Sequence, residues 1–294
     1  MPEIAVPGPS IATVAAVLDQ AAAKLGAAGV VYPRREAAWF WELAAALPSG
    51  QAWLAREERA DAAALRRFEE MLTSRVSGMP FAYAAGVMAF RRLTLAIDDR
   101  ALIPRPETEG LVELVLRWAE GQPGGWVADI GTGSGCIALS LALEGRFDRV
   151  VATEPSPPAA ALARANAGRC GLSIDVREGD LLDPLEQGRY RVIVSNPPYL
   201  TDDEWGALDH SVRAFEPRLA LTSGVDGLDA TRVLIAGAAL RLEPGGLLAL
   251  EIDERRAGAV GDLASAAGWN RVRIMPDLFG RPRYALMNSR GRTS

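Results

Sequence analysis

From Trp126 onward, apolar runs of strand length alternate with helical ones, and the strand runs end on residues that do not belong in a core. Val127, Ala128, Asp129 and Ile130 lead into Gly131, Thr132, Gly133, Ser134 and Gly135, followed by an apolar helix through Ile137, Leu139 and Leu143. Val150 to Thr153 end on Glu154 and precede a helix through Leu162 and Asn166, and a short strand near Ile174 to Val176 precedes Gly179, Asp180 and Leu181. Val192, Ile193 and Val194 lead to Ser195, Asn196, Pro197, Pro198 and Tyr199. A long polar segment to about Leu228, a helix through Val233 and Leu240 and a strand from Leu247 to Ile252 come next. A helix near Val260 to Ala266 and strands around Val272 to Ile274 and Tyr284 to Met287 complete the series. Such alternation specifies a doubly wound, mostly parallel α/β sheet, whose ligands lie beyond the carboxyl ends of the strands. The glycine run, Glu154, Asp180 and Asn196 therefore converge.

Each of these positions suits part of a nucleoside. Glycines let a backbone approach a ligand closely, and a carboxylate at the next strand tip, Glu154, can accept both ribose hydroxyls. Asp180 can take an adenine amino hydrogen, and Leu181 offers an apolar face. The run lacks the third glycine of the dinucleotide fingerprint and the Gly-Lys-Ser/Thr ending of a phosphate loop. Asp129 to Gly135 instead follows Asp-x-Gly-x-Gly-x-Gly, the pattern of S-adenosylmethionine-dependent methyltransferases.

At Asn196 to Tyr199, two prolines restrict the backbone and hold the preceding residue extended. Asn196 can offer its side-chain oxygen to an N–H, the carbonyl after it a second acceptor, and Tyr199 a ring face. That is a slot for a flat NH2-bearing group. Asn-Pro and Pro-Pro dipeptides also occur in ordinary turns, so this reading leans on the neighbouring strand tips.

The first 80 residues read as a small helical bundle. Ile11, Val14, Leu18 and Leu25 recur at helical steps behind Ser10, an expected N-cap, and Gly26 marks a stop. Ala37 to Leu47, carrying Trp39, Phe40, Trp41 and Leu43, and the series Leu65, Phe68, Leu72, Val76 give two further helices. Their aromatic stripe is expected to be core. Residues 81–110 comprise a hairpin with Phe90, Leu93, Leu95 and Ile97, then the connector Leu102 to Glu109, expected to form a seam between domains ahead of a helix from Leu111 to Trp118. Residues 111–294 form the α/β domain.

Composition narrows the chemistry. Among 294 residues, 49% are apolar and 23% charged, with a net charge of −5, which argues against a broad basic face for nucleic acid. One histidine, His210, and two cysteines, Cys136 and Cys170, supply neither a metal cluster nor a Ser/His/Asp centre. No stretch approaches the roughly 18 to 20 apolar residues of a spanning helix, and the N-terminus lacks a secretory pattern. A cytoplasmic protein with no bound metal is the expectation.

The chain resembles the protein-glutamine N-methyltransferases that modify peptide chain release factors. The matching segments are Gly78 to Gly86, Ile103 to Glu109, Asp129 to Gly135, Asn196 to Tyr199, Glu216 to Leu221 with Gly224 to Leu228, and Asp277 to Arg281. Ile-Pro-Arg-Pro-Glu-Thr-Glu discriminates most, because Asn-Pro-Pro-Tyr is shared with adenine-N6 methyltransferases. The resemblance implies a seven-stranded Rossmann-like methyltransferase sheet behind a helical domain that helps hold the protein substrate. It implies S-adenosylmethionine as cofactor and S-adenosylhomocysteine as product, held by Asp129, Gly131, Thr132, Gly133, Ser134, Gly135, Glu154, Asp180, Leu181 and Asn196. It implies that Asn196, Pro197, Pro198 and Tyr199 grip the glutamine of a Gly-Gly-Gln motif and carry catalysis, with Arg105 and Glu107 helping to bind substrate. Release factors are the implied partners, without membrane or direct nucleic-acid binding. The chain departs from the family at Glu154, usually Asp; at Asp253 to Arg256, where Glu-Ile-Gly and Gln are common; and at Ala89, commonly acidic. A methyltransferase acting on a small-molecule amide, guanidine or amine, or on adenine N6, and a non-catalytic nucleoside-binding module remain the alternatives.

Overall fold

The computed structural model describes residues 12–290, which divide into two compact units, one up to Gly86 and one from Val87. Ser10 and Ile11 lie outside the described residues. In the first unit, α1 (Val14–Ala27) starts behind Thr13, whose hydroxyl accepts from the Ala16 N–H at 3.3 Å. Helix α2 (Pro33–Ala44) opens on a proline, and α3 (Ala62–Val76) is capped by Asp61, which accepts from the Ala63 and Ala64 N–H groups. A short α4 (Phe81–Ala85) follows. Helix α2 stops before Leu47 because Ala46 adopts φ +53° and the Leu47 N–H turns back to the Glu42 carbonyl. Leu25, Phe40, Trp41, Phe68 and Leu72 share one core, with Trp41 edge-on to Phe68 at 5.7 Å, so these aromatics pack as their helical spacing predicts.

The second unit opens with the hairpin β1 (Val87–Phe90) and β2 (Leu93–Ala96). Its turn residue Arg91, at φ +50°, reaches Glu144 at 2.8 Å and Glu113 at 3.1 Å, while its N–H donates to Glu109. Helix α5 (Pro106–Ala119) begins at Pro106 and not near Leu111. Proline presets the φ of a first turn, and Glu107 and Glu109 complement the positive end of the helix dipole. Glu107, Thr108 and Glu109 are therefore helical, and the connector lies inside this unit, where a seam was expected.

The sheet contains β3 (Trp126–Ile130), β4 (Arg149–Glu154), β5 (Asp175–Glu178), β6 (Tyr190–Ser195), β7 (Leu242–Glu251), β8 (Asn270–Pro276) and β9 (Pro282–Asn288), in the order β5-β4-β3-β6-β7-β9-β8. The strands are parallel except β9, which runs antiparallel to both neighbours. Helices α6 (Cys136–Glu144) and α7 (Pro157–Cys170) link the early strands. The long polar segment contains α8 (Asp202–Gly206) and α9 (His210–Phe215), and α10 (Asp229–Gly237) and α11 (Ala257–Ala266) complete the set. Val192 and Val194 join the core on one face with Leu111, Leu139 and Leu286, while Ile193 joins Leu234, Leu248 and Val260 on the other. Burial on both faces is why these strands read as unbroken apolar runs.

The sheet starts at β3, winds outward to β5 and returns beside β3 as β6, pairing Ile130 with Ser195. The switch point of the sheet thus lies between the ends of β3 and β6, where such folds open a crevice. No helix among the described residues is long and apolar enough to cross a membrane.

On α5, a Cβ at Gly110 would collide with the Tyr284 hydroxyl, which donates to the Glu107 carbonyl at 2.7 Å. Helix propensity alone favours alanine there by about 1 kcal/mol, but Tyr284 is buried on β9 and has nowhere to move. Gly110→Ala is therefore expected to destabilise the protein by about 1–3 kcal/mol in urea unfolding; a stabilised variant would contradict the packing described.

Candidate active site

The glycine loop is shaped from below by Asp129. This fully buried carboxylate accepts from the Thr132 hydroxyl at 2.6 Å and the Ala138 N–H at 3.1 Å, and burial pushes it up to about 7. The Gly131 and Thr132 N–H groups both donate to the Thr153 carbonyl, tying the loop to β4. Gly131 sits at φ +70° and Gly133 at +55°, and a Cβ on Gly131 would meet nothing within 4 Å. The missing side chains leave a bare main-chain cradle at a cavity wall.

Glu154 closes the next side. Its two carboxylate oxygens accept from Gly133 N–H at 2.9 Å and Ser156 N–H at 3.0 Å, and burial raises its pKa against those two hydrogen bonds. A carboxylate has about four acceptor positions, so two backbone bonds leave capacity for hydroxyl donors. Beyond β5, Leu181 is a non-glycine residue at φ +40°, and its carbonyl is held by the Thr153 hydroxyl at 2.9 Å. A strained backbone conformation of this kind persists only where surrounding contacts enforce it.

At the end of β6, the Ser195 hydroxyl donates to the Ile130 carbonyl at 2.8 Å, locking the two strand ends together. The next residues are fixed by the segment that follows, with Tyr199 and Leu200 N–H donating to the Leu221 carbonyl and Ser223 N–H to that of Leu200. Gly227, at φ +74°, packs so tightly that a Cβ would collide with the Tyr199 carbonyl oxygen. Burial and the charge of Glu251 push the Tyr199 phenol up to about 12, so it stays protonated and cannot serve as a base at neutral pH.

Asn196 is oriented from the side. Its Nδ2 donates to the Thr108 hydroxyl at 3.0 Å, and that hydroxyl donates to Glu251 Oε2 at 2.7 Å. Thr108 and Glu251 are 2% and 1% exposed, so water does not compete for either bond. Burial pushes the Glu251 carboxyl up to about 7 against the Thr108 hydrogen bond.

Gly131, Gly133, Glu154, Asp180, Leu181, Asn196 and Pro198 line a cavity of about 590 Å³, joined by Leu102, Leu219 and Val233. Its size and donor set fit a nucleoside bearing a short charged tail: a main-chain cradle, a carboxylate with spare acceptor positions and an apolar wall. Asp129 on β3 and the loop residues Thr132, Ser134 and Gly135 lie outside its lining, as do Pro197 and Tyr199. Arg105 and Glu107 do not line it either. Arg105 is committed to Glu216 at 2.7 Å, while the Ile103 N–H donates to the same buried carboxylate, and the Glu107 carbonyl accepts from Tyr284. Both residues hold the connector in place. Sequence reasoning passed over Thr108, Glu251 and Glu216 as site residues; a carboxylate closing the apolar run Leu247 to Leu250, one strand beyond Asn196, is the signal that marks Glu251.

A seven-stranded sheet of this order, with a glycine loop at its switch point and a carboxylate at the next strand end, defines an α/β methyltransferase. The Methyltransferase small domain model matches residues 111–212. A methyltransferase from Pyrococcus furiosus superposes with a TM-score of 0.51 at 19% identity, over 77% of this chain and 98% of that one, a likeness of fold. The PrmC N-terminal domain model matches residues 16–86. A release factor glutamine methyltransferase of Moorella thermoacetica is 41% identical over 93% of this chain and 98% of its own. That of Deinococcus radiodurans is 39% identical over 91% and 95%. The chain belongs to the release factor glutamine methyltransferase family.

Because the Glu251 carboxyl titrates higher when folded, the native state holds a proton that the unfolded chain releases between the ordinary value of 4.5 and about 7. Its contribution to stability is unimpaired below that window and falls as pH rises through it, by up to about 3 kcal/mol. Glu251→Gln, neutral and of equal size, removes this dependence. Urea unfolding is expected to show wild type losing ground to the variant between pH 5 and pH 8; a constant difference would contradict the assignment.

Proposed function

We propose that the protein transfers a methyl group from S-adenosylmethionine to the side-chain amide nitrogen of the glutamine in the Gly-Gly-Gln motif of peptide chain release factors. The observation that carries this reading is the orientation of Asn196. With Nδ2 given to Thr108, the side chain keeps Oδ1 as its acceptor at the cavity wall. A carboxamide nitrogen is a weak nucleophile because its lone pair is delocalised into the carbonyl. In this reading Asn196 Oδ1 and the Pro197 carbonyl accept its two hydrogens, raise electron density on nitrogen and fix its direction of approach. Pro198 would lie against the flat amide at the cavity wall, and Tyr199 is assigned its other face. The two acceptors disperse positive charge as nitrogen forms its new bond, and one amide proton then leaves to solvent.

S-adenosylmethionine supplies a methyl group activated by its sulfonium. Gly131 and Gly133 would cradle it, with Asp129, Thr132, Ser134 and Gly135 shaping the loop, Glu154 taking ribose hydroxyls, Asp180 and Leu181 the adenine, and Asn196 the border with the acceptor slot. Arg105 and Glu107 serve substrate binding by holding the connector. The helical residues 1–80 are assigned to gripping the protein substrate, residues 81–110 to the hairpin and connector, and the reaction to the cytoplasm, where release factors act. Relatives of this family that bear the release factor name support this over an adenine substrate, which the same acceptors would also serve.

Labelled methyl is expected to pass to intact release factor and not to one whose Gly-Gly-Gln glutamine is replaced by alanine; equal labelling of both would sink the proposal. Asn196→Ala is expected to lower kcat roughly 100- to 1,000-fold while calorimetry finds S-adenosylmethionine bound almost as before. Lost cofactor affinity with an unchanged single-turnover rate would remove Asn196 from the acceptor role. Glu154→Gln should weaken cofactor binding about 10- to 100-fold, the worth of a charged hydrogen bond, and titration calorimetry at fixed pH reads this directly.

A further inference from the structure

We infer that Thr108 and Glu251 are positioning residues for the transfer, a two-bond relay that dictates which end of the Asn196 amide faces the substrate. The inference rests on the acceptor role given to Asn196 above. Asparagine is ambiguous by nature, since oxygen and NH2 occupy nearly the same volume and either can face the slot. Only the oxygen accepts a hydrogen from a substrate NH2; the other orientation presents donor to donor.

The relay removes the ambiguity by counting protons. At pH values above about 7, where Glu251 is ionised, it has no hydrogen to give, so across 2.7 Å the single Thr108 hydrogen is spent on Oε2, and the rates below are compared at pH 8. The Thr108 oxygen is then left with lone pairs only, and at 3.0 Å from Asn196 it can be met only by Nδ2. The direction of both bonds follows from one carboxylate. The parts come from three elements: the first turn of α5, the end of β7 and the exit of β6. Thr108 and Glu251 lie outside the cavity lining, so they act through Asn196 and not on the substrate.

A purely structural role, tying α5 to β7, predicts something different when the hydroxyl is removed. It predicts lost stability with catalysis of the folded fraction intact. The relay predicts a loss confined to kcat. Thr108→Val, nearly equal in shape and lacking the hydroxyl, is expected to lower kcat about tenfold to a hundredfold, less than loss of Asn196 itself, with KM for release factor and cofactor affinity within about twofold of wild type. Thr108→Ser, which restores the hydroxyl, is expected to recover most of the rate. Glu251→Gln, able to donate as well as accept, relaxes the directional rule and is expected to lose kcat by about threefold to tenfold, which keeps the test intact if Thr108→Val folds poorly. Wild-type rates in both Thr108→Val and Glu251→Gln, or a Thr108→Ser no faster than Thr108→Val, would overturn the relay.

A second readout separates this inference from the choice of substrate. The side-chain amide resonance of Asn196, assigned by its absence in Asn196→Ala, should exchange slowly with water in wild type and in Thr108→Ser, and quickly in Thr108→Val. Fast exchange in wild type overturns the relay whatever the enzyme methylates. Slow exchange lost in Thr108→Val, in a protein that fails to label release factor, supports the relay and rejects the substrate.

Discussion

The side-by-side ending of β3 and β6 is the constraint on which the site depends. These strands are far apart in sequence yet pair in parallel through Ile130 and Ser195, and the Ser195 hydroxyl locks onto the Ile130 carbonyl at the last rung. One residue further along each strand, the main chain leaves the sheet as Gly131 on one side and Asn196 on the other. A slip of one residue would turn Asn196 to the opposite face. The apolar alternation of Val192, Ile193 and Val194 between two separate cores forbids that slip, so packing energy far from the chemistry sets the distance between cradle and slot.

Around that pair, the rest of the unit works as bracing. Asn166, fully buried on α7, accepts from Ala96 N–H and donates to the carbonyls of Ala96 and Ser134, joining the hairpin to the glycine loop. Arg91 binds the hairpin turn to the helices carrying Glu113 and Glu144. Glu216, almost without solvent exposure, collects Arg105 and the Ile103 N–H and so fixes the connector from which α5 starts. Through α5, that anchoring reaches Thr108 and the Asn196 amide.

Much of this was legible in the sequence, for a local reason. Gly131, Glu154 and Asn196 close short apolar runs, and Asp180 lies just beyond the short strand β5, so strand periodicity puts them at or beyond strand ends, and the doubly wound pattern puts those ends together. What stayed hidden depends on distant pairing. Thr108 meets Asn196 across 88 residues and Glu251 across 143, and Arg105 finds Glu216 across 111. Threonine and glutamate are common on any helix or strand, so neither announces a partner. The start of α5 shows the same limit: two prolines around an arginine read as a break in helix, while Pro106 in fact begins one.

Gly227 carries a consequence for how such an enzyme can change. The back of the slot is main chain against main chain, because at Gly227 a side chain of any kind would strike the Tyr199 carbonyl. Point substitution swaps side chains and leaves the peptide backbone in place, so the main-chain wall behind Tyr199 is shielded from gradual alteration. The rim is made differently, from replaceable side chains such as Leu102, Leu219 and Val233. Drift is therefore channelled: the rim can change in small steps, whereas the main-chain wall at Gly227 cannot.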